Sequence, residues 1–204
     1  MSEPAAKTLS SIQQRSGRTG GALRADYARY LRIARADHGT LRAHFAAATE
    51  FGFLAIAVYR YGRWTRRIRP RLLGLPFKLL YRLLDLPVQL LFGISISSNS
   101  EIGPGFYIGH FGGIVVHGKL GANCSIGQGV TIGAKGGGRS DGYPEIGDDV
   151  YLGAGSMVIG RVRVGDGVLV GANTVVVQDV PAGCRVVSAP TRILPPREKG
   201  DGGN

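Results

Sequence analysis

Residues 96–133 read ISSNSEIGPGFYIGHFGGIVVHGKLGANCSIGQGVTIG, and residues 146–176 read IGDDVYLGAGSMVIGRVRVGDGVLVGANTVV. Through both stretches an aliphatic residue returns at every sixth position, usually with glycine directly behind it. The first set is Ile96, Ile102, Ile108, Ile114, Leu120, Ile126 and Ile132; the second is Ile146, Leu152, Val158, Val164, Val170 and Val176. Such a beat matches neither the helical period nor the alternation of an ordinary strand, and it is a signature of parallel β-helices. Each hexad supplies one short strand and one corner, and three hexads complete a coil. Ile96, Ile114 and Ile132 are therefore expected to stack 18 residues apart. The residue two before the aliphatic position is often small or β-branched, as at Ser100, Cys124, Val130, Val150, Ser156, Val162, Val168 and Thr174. That pattern predicts a second inward position. Glycine after the aliphatic residue suits a corner, where a Cβ would clash or φ is unusual. A glycine-rich β-sandwich would instead alternate strictly, with no six-residue beat.

The beat breaks once. Ile132 and Ile146 are 14 residues apart, one hexad with an excess of eight. The excess lies between Ala134 and Pro144 and must leave the coil as a loop, where binding groups concentrate on rigid scaffolds.

The formal net charge is +11, and residues 1–92 carry all of it, with 16 Lys/Arg against 5 Asp/Glu; residues 93–204 hold 9 of each. The asymmetry points to an anionic neighbour of the N-terminal part. Residues 1–21 are polar and aperiodic, which predicts a disordered tail and no signal peptide, hence a cytoplasmic protein. Residues 22–92 read as helical. Leu23, Tyr27, Tyr30, Leu31 and Ala34 recur at helical spacing, and a second helix is expected to start with Thr40 as N-cap and run toward Trp64. Six arginines, Arg60, Arg63, Arg66, Arg67, Arg69 and Arg71, then crowd into twelve residues. The apolar run from Leu72 to Phe92 contains Lys78, Arg82, Asp85, Pro76 and Pro87, which argues against a membrane span. It reads either as a helix packed on the β-helix or a partner subunit, or as a basic amphipathic helix lying on an anionic membrane. No nucleic-acid-binding motif accompanies the arginines. Residues 93–194 form the repeat domain and 195–204 a polar tail. Of two cysteines, Cys124 falls at an inward position and reads as a buried free thiol.

The hexads, the extruded Gly-rich loop, the histidine in Ile108-Gly109-His110 and the closing Ser188-Ala189-Pro190-Thr191-Arg192-Ile193 together resemble the serine acetyltransferase group of hexapeptide acyltransferases. The helical region looks shorter than in true serine acetyltransferases and more closely resembles a branch associated with capsule and exopolysaccharide synthesis. The resemblance implies a left-handed β-helix, a homotrimer, acetyl-CoA as donor without a metal, and an active site between neighbouring prisms.

Acetyl transfer from a thioester to an alcohol needs a base for the hydroxyl proton and a donor for the oxyanion. Neutral imidazole suits the first task. His110 matches the family's catalytic histidine; His117 has no family counterpart and reads as a surface residue. Three acceptor-side positions depart from the family. The Asp before the catalytic His falls on Gly109, the Asp that orients it on Ser95, and the Arg-His pair that grips the serine carboxylate on Gly142-Tyr143. A zwitterion needs counter-charges, so a sugar acceptor, contacting Tyr143, is expected ahead of L-serine. For the donor, the family's positions fall on the small residues Ala134, Ala154 and Ala172, with Lys135, Arg139 and Arg192 as cations for the phosphates. A γ-type carbonic anhydrase would need three histidines per zinc, and the repeat domain has only His110 and His117. A non-catalytic trimeric scaffold is the remaining rival.

Overall fold

The computed structural model describes residues 19–37, 40–70, 72–136 and 142–189. Four helices precede the repeats: α1 (Thr19–Asp37), α2 (Thr40–Thr49), α3 (Phe51–Thr65) and α4 (Leu75–Phe92). Thr19, Gly20 and Gly21 belong to α1 rather than to a disordered tail. The single helix expected from Thr40 toward Trp64 is two helices, meeting at 60°. Glu50 breaks it by taking an extended ψ of 126°.

From Ile94 the chain winds into a prism of about five coils. Strands of successive coils pair in parallel on each of three faces. Face A stacks Ile94–Ile96, Ile114–Val116, Thr131–Gly133, Met157–Ile159 and Val175–Val176. Face B stacks Glu101–Ile102, Lys119–Leu120, Glu145–Ile146 and Arg163–Val164. Face C stacks Tyr107–Ile108, Ser125–Ile126, Tyr151–Leu152, Leu169–Val170 and Arg185–Val186. The aliphatic beat fills the interior, and the second inward set, from Ser100 to Thr174, is buried as well. Cys124 is among them, and burial pushes its thiol up to about 12.

The stacking register corrects the even count. Ile96 pairs with Val116, and Val116 with Ile132, while Ile114 pairs with Ile94. The corner after Ile108 holds two extra residues, accommodated by Gly112 (φ 106°) and Gly113 (φ 66°). The next corner, after Val116, is two residues short, which restores the beat by Leu120. His110 lies on the long corner and His117 on the short one. Of the two reasons for glycine behind the aliphatic residue, close approach is the operative one at Gly103, Gly121, Gly127, Gly147, Gly153 and Gly165, though not at Gly109 or Gly133. A Cβ on Gly103 would lie 2.5 Å from the Gly121 carbonyl carbon of the next coil. The left-handed residue comes two positions later, for example Asn123 (φ 58°) or Asp149 (φ 57°).

The three outer faces differ in chemistry. Face B carries Glu101, Lys119, Glu145 and Arg163 outward, with Lys119 Nζ 3.0 Å from Glu145 Oε1 and Arg163 Nε 3.7 Å from Glu145 Oε2. Alternating charges stacked in this way suit a solvated surface. Face A instead exposes Val115, Met157 and Val175.

A β-helix ends in an edge of unpaired backbone groups, and here the helices cover it. The Tyr30 hydroxyl donates to the Ile108 carbonyl (3.0 Å) and accepts from the Ile108 amide (2.9 Å). The Tyr59 hydroxyl does the same for the Ser100 carbonyl (2.8 Å) and the Ile102 amide (3.2 Å). Between them lies a buried ion pair. Arg60 donates to Asp26 through Nε (2.9 Å) and Nη2 (3.2 Å), and also to the carbonyls of Ile102 and Gly103. Asp26 accepts from the Phe106 amide at 2.9 Å. Burial raises the Asp26 carboxyl above its usual range, and Arg60 and the Phe106 amide hold part of that rise back. Arg60 therefore does not belong to the exposed arginine cluster.

Removing one partner of a buried pair leaves the other charge uncompensated. Asp26→Ala should cost about 3–5 kcal/mol in urea denaturation, whereas Glu145→Ala, losing exposed pairs, should cost less than about 1 kcal/mol. Thiol titration at pH 8 should label Cys184 in the native protein and Cys124 only after unfolding.

Candidate active site

The expected site residues divide between two edges of the prism. His110 lies on the edge where face C turns into face A. Two residues flanking His110, Ile108 and Phe111, are tied to the helices. Phe111 stands edge-on to Phe51 (ring centroids 4.8 Å, 86°), which contacts Phe92 at 4.5 Å. Tyr30 holds Ile108 from below, and Gly52 passes close enough that a Cβ there would lie 2.7 Å from the Ile108 carbonyl. The His110 side chain is exposed, and among the described residues none hydrogen-bonds to its ring. Ala154 and Ala172 fall on this same edge, in lower coils. Their amides are neighbours of the close contacts at Gly127 and Gly153, where a Cβ would meet backbone at 2.9 and 2.7 Å. In these lower coils the edge sets the small side chains of Ala154 and Ala172 beside close backbone contacts.

The other edge, where face A turns into face B, carries Ala134, Lys135, the extruded loop and Tyr143. Arg139 in that loop and Arg192 near the C-terminus lie outside the described residues. A cleft of about 640 Å³ opens here, lined among others by Glu101, His117, Lys119, Tyr143 and Arg161. Tyr143 is stacked on His117, with centroids 3.9 Å apart and planes at 27°. His117 is therefore part of this cleft, not a bare surface residue. Coils stacked 26 residues apart by the loop bring the two rings together, a separation the hexad beat did not reveal.

Arg161 is the other residue the sequence did not single out. Its side chain crosses Gly142: a Cβ on that glycine would lie 3.4 Å from Arg161 Cγ and Cδ. Gly142 has φ 116°, a conformation a side-chain-bearing residue rarely adopts. The local backbone thus disfavours an arginine at 142, and the guanidinium arrives from the next coil instead. Among the described residues Arg161 has no ion-pair partner. The cleft also holds the Lys119–Glu145 pair, and beside it Arg161 and Glu101 add a second cation and a second carboxylate, the kind of counter-charges that the matched positions lack. Ser95 is half-buried and faces outward on face A, between the two edges. Gly109 has an ordinary φ and open space, the nearest atom to an added Cβ being Tyr107 Cε1 at 3.6 Å.

The repeat region from residue 143 to 178 matches the family described as bacterial transferase hexapeptide (six repeats). The chain is 32% identical to the serine acetyltransferase of Bacillus subtilis (strain 168) over 169 residues, covering 81% of this chain and 77% of that one. Soybean serine acetyltransferase complexed with serine superposes with a TM-score of 0.67 at 31% identity, covering 85% of this chain and 70% of that one. Serine acetyltransferase from Brucella abortus strain S19 in complex with coenzyme A gives 0.69 at 26% identity, covering 92% and 72%. Several other curated serine acetyltransferases are longer, and the chain spans about half their length. These relatives are serine acetyltransferases rather than the polysaccharide enzymes expected from the short helical region. On this evidence of fold, repeats and identity, the chain belongs to the serine acetyltransferase family of hexapeptide-repeat acyltransferases.

Proposed function

We propose that the protein moves the acetyl group of acetyl-CoA to a hydroxyl acceptor, and that the acceptor is L-serine. The observation that carries the acceptor is Arg161 lying across Gly142. It supplies a guanidinium for a carboxylate at the edge where the family has its arginine, and Glu101 in the same cleft supplies a partner for an ammonium.

His110 is the general base. Its imidazole takes the hydroxyl proton as the oxygen attacks the thioester carbonyl. The tetrahedral intermediate then collapses, its C–S bond breaks, and the leaving thiolate recovers the proton from His110. Acetyl-CoA lies along the edge of Ala154 and Ala172, where small residues let backbone amides reach it, and Lys135 with Ala134 meets it from the opposite edge.

In one chain His110 and the Arg161 cleft sit on different edges, and both edges bound face A. The apolar residues Val115, Met157 and Val175 on that face support burial between chains. A threefold assembly through face A sets one chain's His110 edge against its neighbour's cleft. Ser95, on this face, then lies where the two meet.

A second reading keeps a neutral acceptor such as a sugar. The stacked Tyr143–His117 pair favours it, because a flat aromatic surface replaces the family's Arg-His pair. Thiol release from acetyl-CoA, compared across L-serine and nucleotide-sugars, separates the two.

His110→Ala should lower kcat about 10²–10⁴-fold with little change in KM for acetyl-CoA. Near-normal turnover would move the base elsewhere. Arg161→Ala should raise KM for L-serine about 10–100-fold, the worth of one charged hydrogen bond, and leave the acetyl-CoA KM alone. An unchanged L-serine KM would turn the acceptor assignment toward the neutral alternative.

A further inference from the structure

Helix α4 is inverted relative to an ordinary surface helix. The stripe turned toward the protein body, Lys78, Tyr81, Asp85, Val88 and Phe92, includes most of its polar residues, with Asp85 buried and accepting from Gln89 Nε2 at 2.6 Å. The outward surface is leucine. Leu79, Leu83, Leu86 and Leu90 are 64, 61, 56 and 73% exposed, and Leu80 and Leu91 continue the surface beside them. At 100° per residue these positions cover an arc of about 140°. Apolar surface of this extent is seldom left bare on a soluble chain.

Along one flank of the leucines lies a second cleft, of about 380 Å³, lined by Arg66, Lys78 and Arg82 together with Thr65, Tyr81 and Ser98. No carboxylate lines it, and among the described residues none of the three cations has an ion-pair partner. Three uncompensated positive charges around a small polar hollow suit a phosphate. The sole tryptophan, Trp64, stands at the end of the same surface, 41% exposed and edge-on to Phe77 at 5.4 Å. Tryptophan is enriched at membrane–water boundaries.

We propose that the leucine surface of α4 and the Arg66–Lys78–Arg82 cleft beside it seat the protein on an anionic lipid bilayer. The leucines enter the acyl boundary and the three cations hold lipid phosphate. Charge complementarity selects lipid over a second copy of the chain. An isologous contact through α4 would set each basic cleft against its own copy, with no acid to answer it. The arrangement is that of an interfacial helix, apolar on one side with cations at its margin. It does not depend on which acceptor is acetylated.

The test uses the full chain with phosphatidylcholine vesicles, with and without phosphatidylglycerol, read by co-sedimentation and Trp64 fluorescence. Binding with a blue shift is expected only for the anionic vesicles at about 0.1 M salt, and is lost at about 1 M. Neutralising Lys78→Gln with Arg82→Gln should weaken it about 25-fold, roughly fivefold per cation. Leu83→Ser with Leu90→Ser should abolish the blue shift, while circular dichroism and acetyl transfer in solution stay normal for both variants. Equal or negligible binding to both vesicle types would overturn the proposal. So would displacement by inorganic phosphate beyond a matched-ionic-strength control, which would make the cleft a free-phosphate site. Light scattering that shows Leu83-dependent association without vesicle binding would assign the surface to a second copy and overturn it equally.

Discussion

A parallel coil satisfies its backbone by stacking, so the first coil has a bare edge. That edge must be covered before the prism can be stable. In this chain the cover is the contact of α1 and α3 with residues 100–108, centred on the buried Asp26–Arg60 pair and flanked by the Tyr30 and Tyr59 hydroxyls. The two tyrosines each satisfy a carbonyl and an amide, as a further coil would have done. The same contact fixes the edge that carries His110, because Tyr30 grips Ile108 and Phe51 packs on Phe111, on either side of it. Stability of the cap and the placement of His110, the proposed base, are therefore coupled through two residues of backbone.

The inward half of this structure was legible from the sequence, and the outward half was not. Aliphatic residues at every sixth position state which side chains fill the prism, and they do. They do not state which of two neighbouring aliphatics stacks where a corner changes length. Ile114 kept the even count, yet Val116 is the residue aligned with Ile96 and Ile132. His117 and Arg161 reach the cleft only through the loop's offset between coils, a tertiary relation with no local signal. Arg60 looked like one more member of a basic run, since its partner Asp26 is 34 residues earlier on another helix. The inverted face of α4 was half visible: the leucines were plain, but the stripe turned inward follows only from packing.

The departures from the family have separable physical causes. At Gly142 the positive φ and the crossing Arg161 side chain explain why no arginine stands there. Gly109 has neither strain nor crowding, so a side chain would fit, and its absence is a matter of chemistry rather than space. Among the described residues no hydrogen bond reaches the His110 ring, so in the proposed assembly its orientation falls to a neighbouring chain or to the substrate. In the proposed site the base and the donor groove share one edge of the prism, and the acceptor charges stand on another.

The central claim is that one site needs two chains, and hetero-oligomers test it most directly. Chains carrying His110→Ala can be co-expressed under a different tag with chains carrying Tyr143→Ala and Arg161→Ala, and the mixed assemblies purified through both tags. If the base of one chain works on the acceptor cleft of its neighbour, the mixed assemblies recover acetyl transfer well above either parent at low L-serine. Activity no greater than that of the two parents would place the whole site within a single chain and contradict the account.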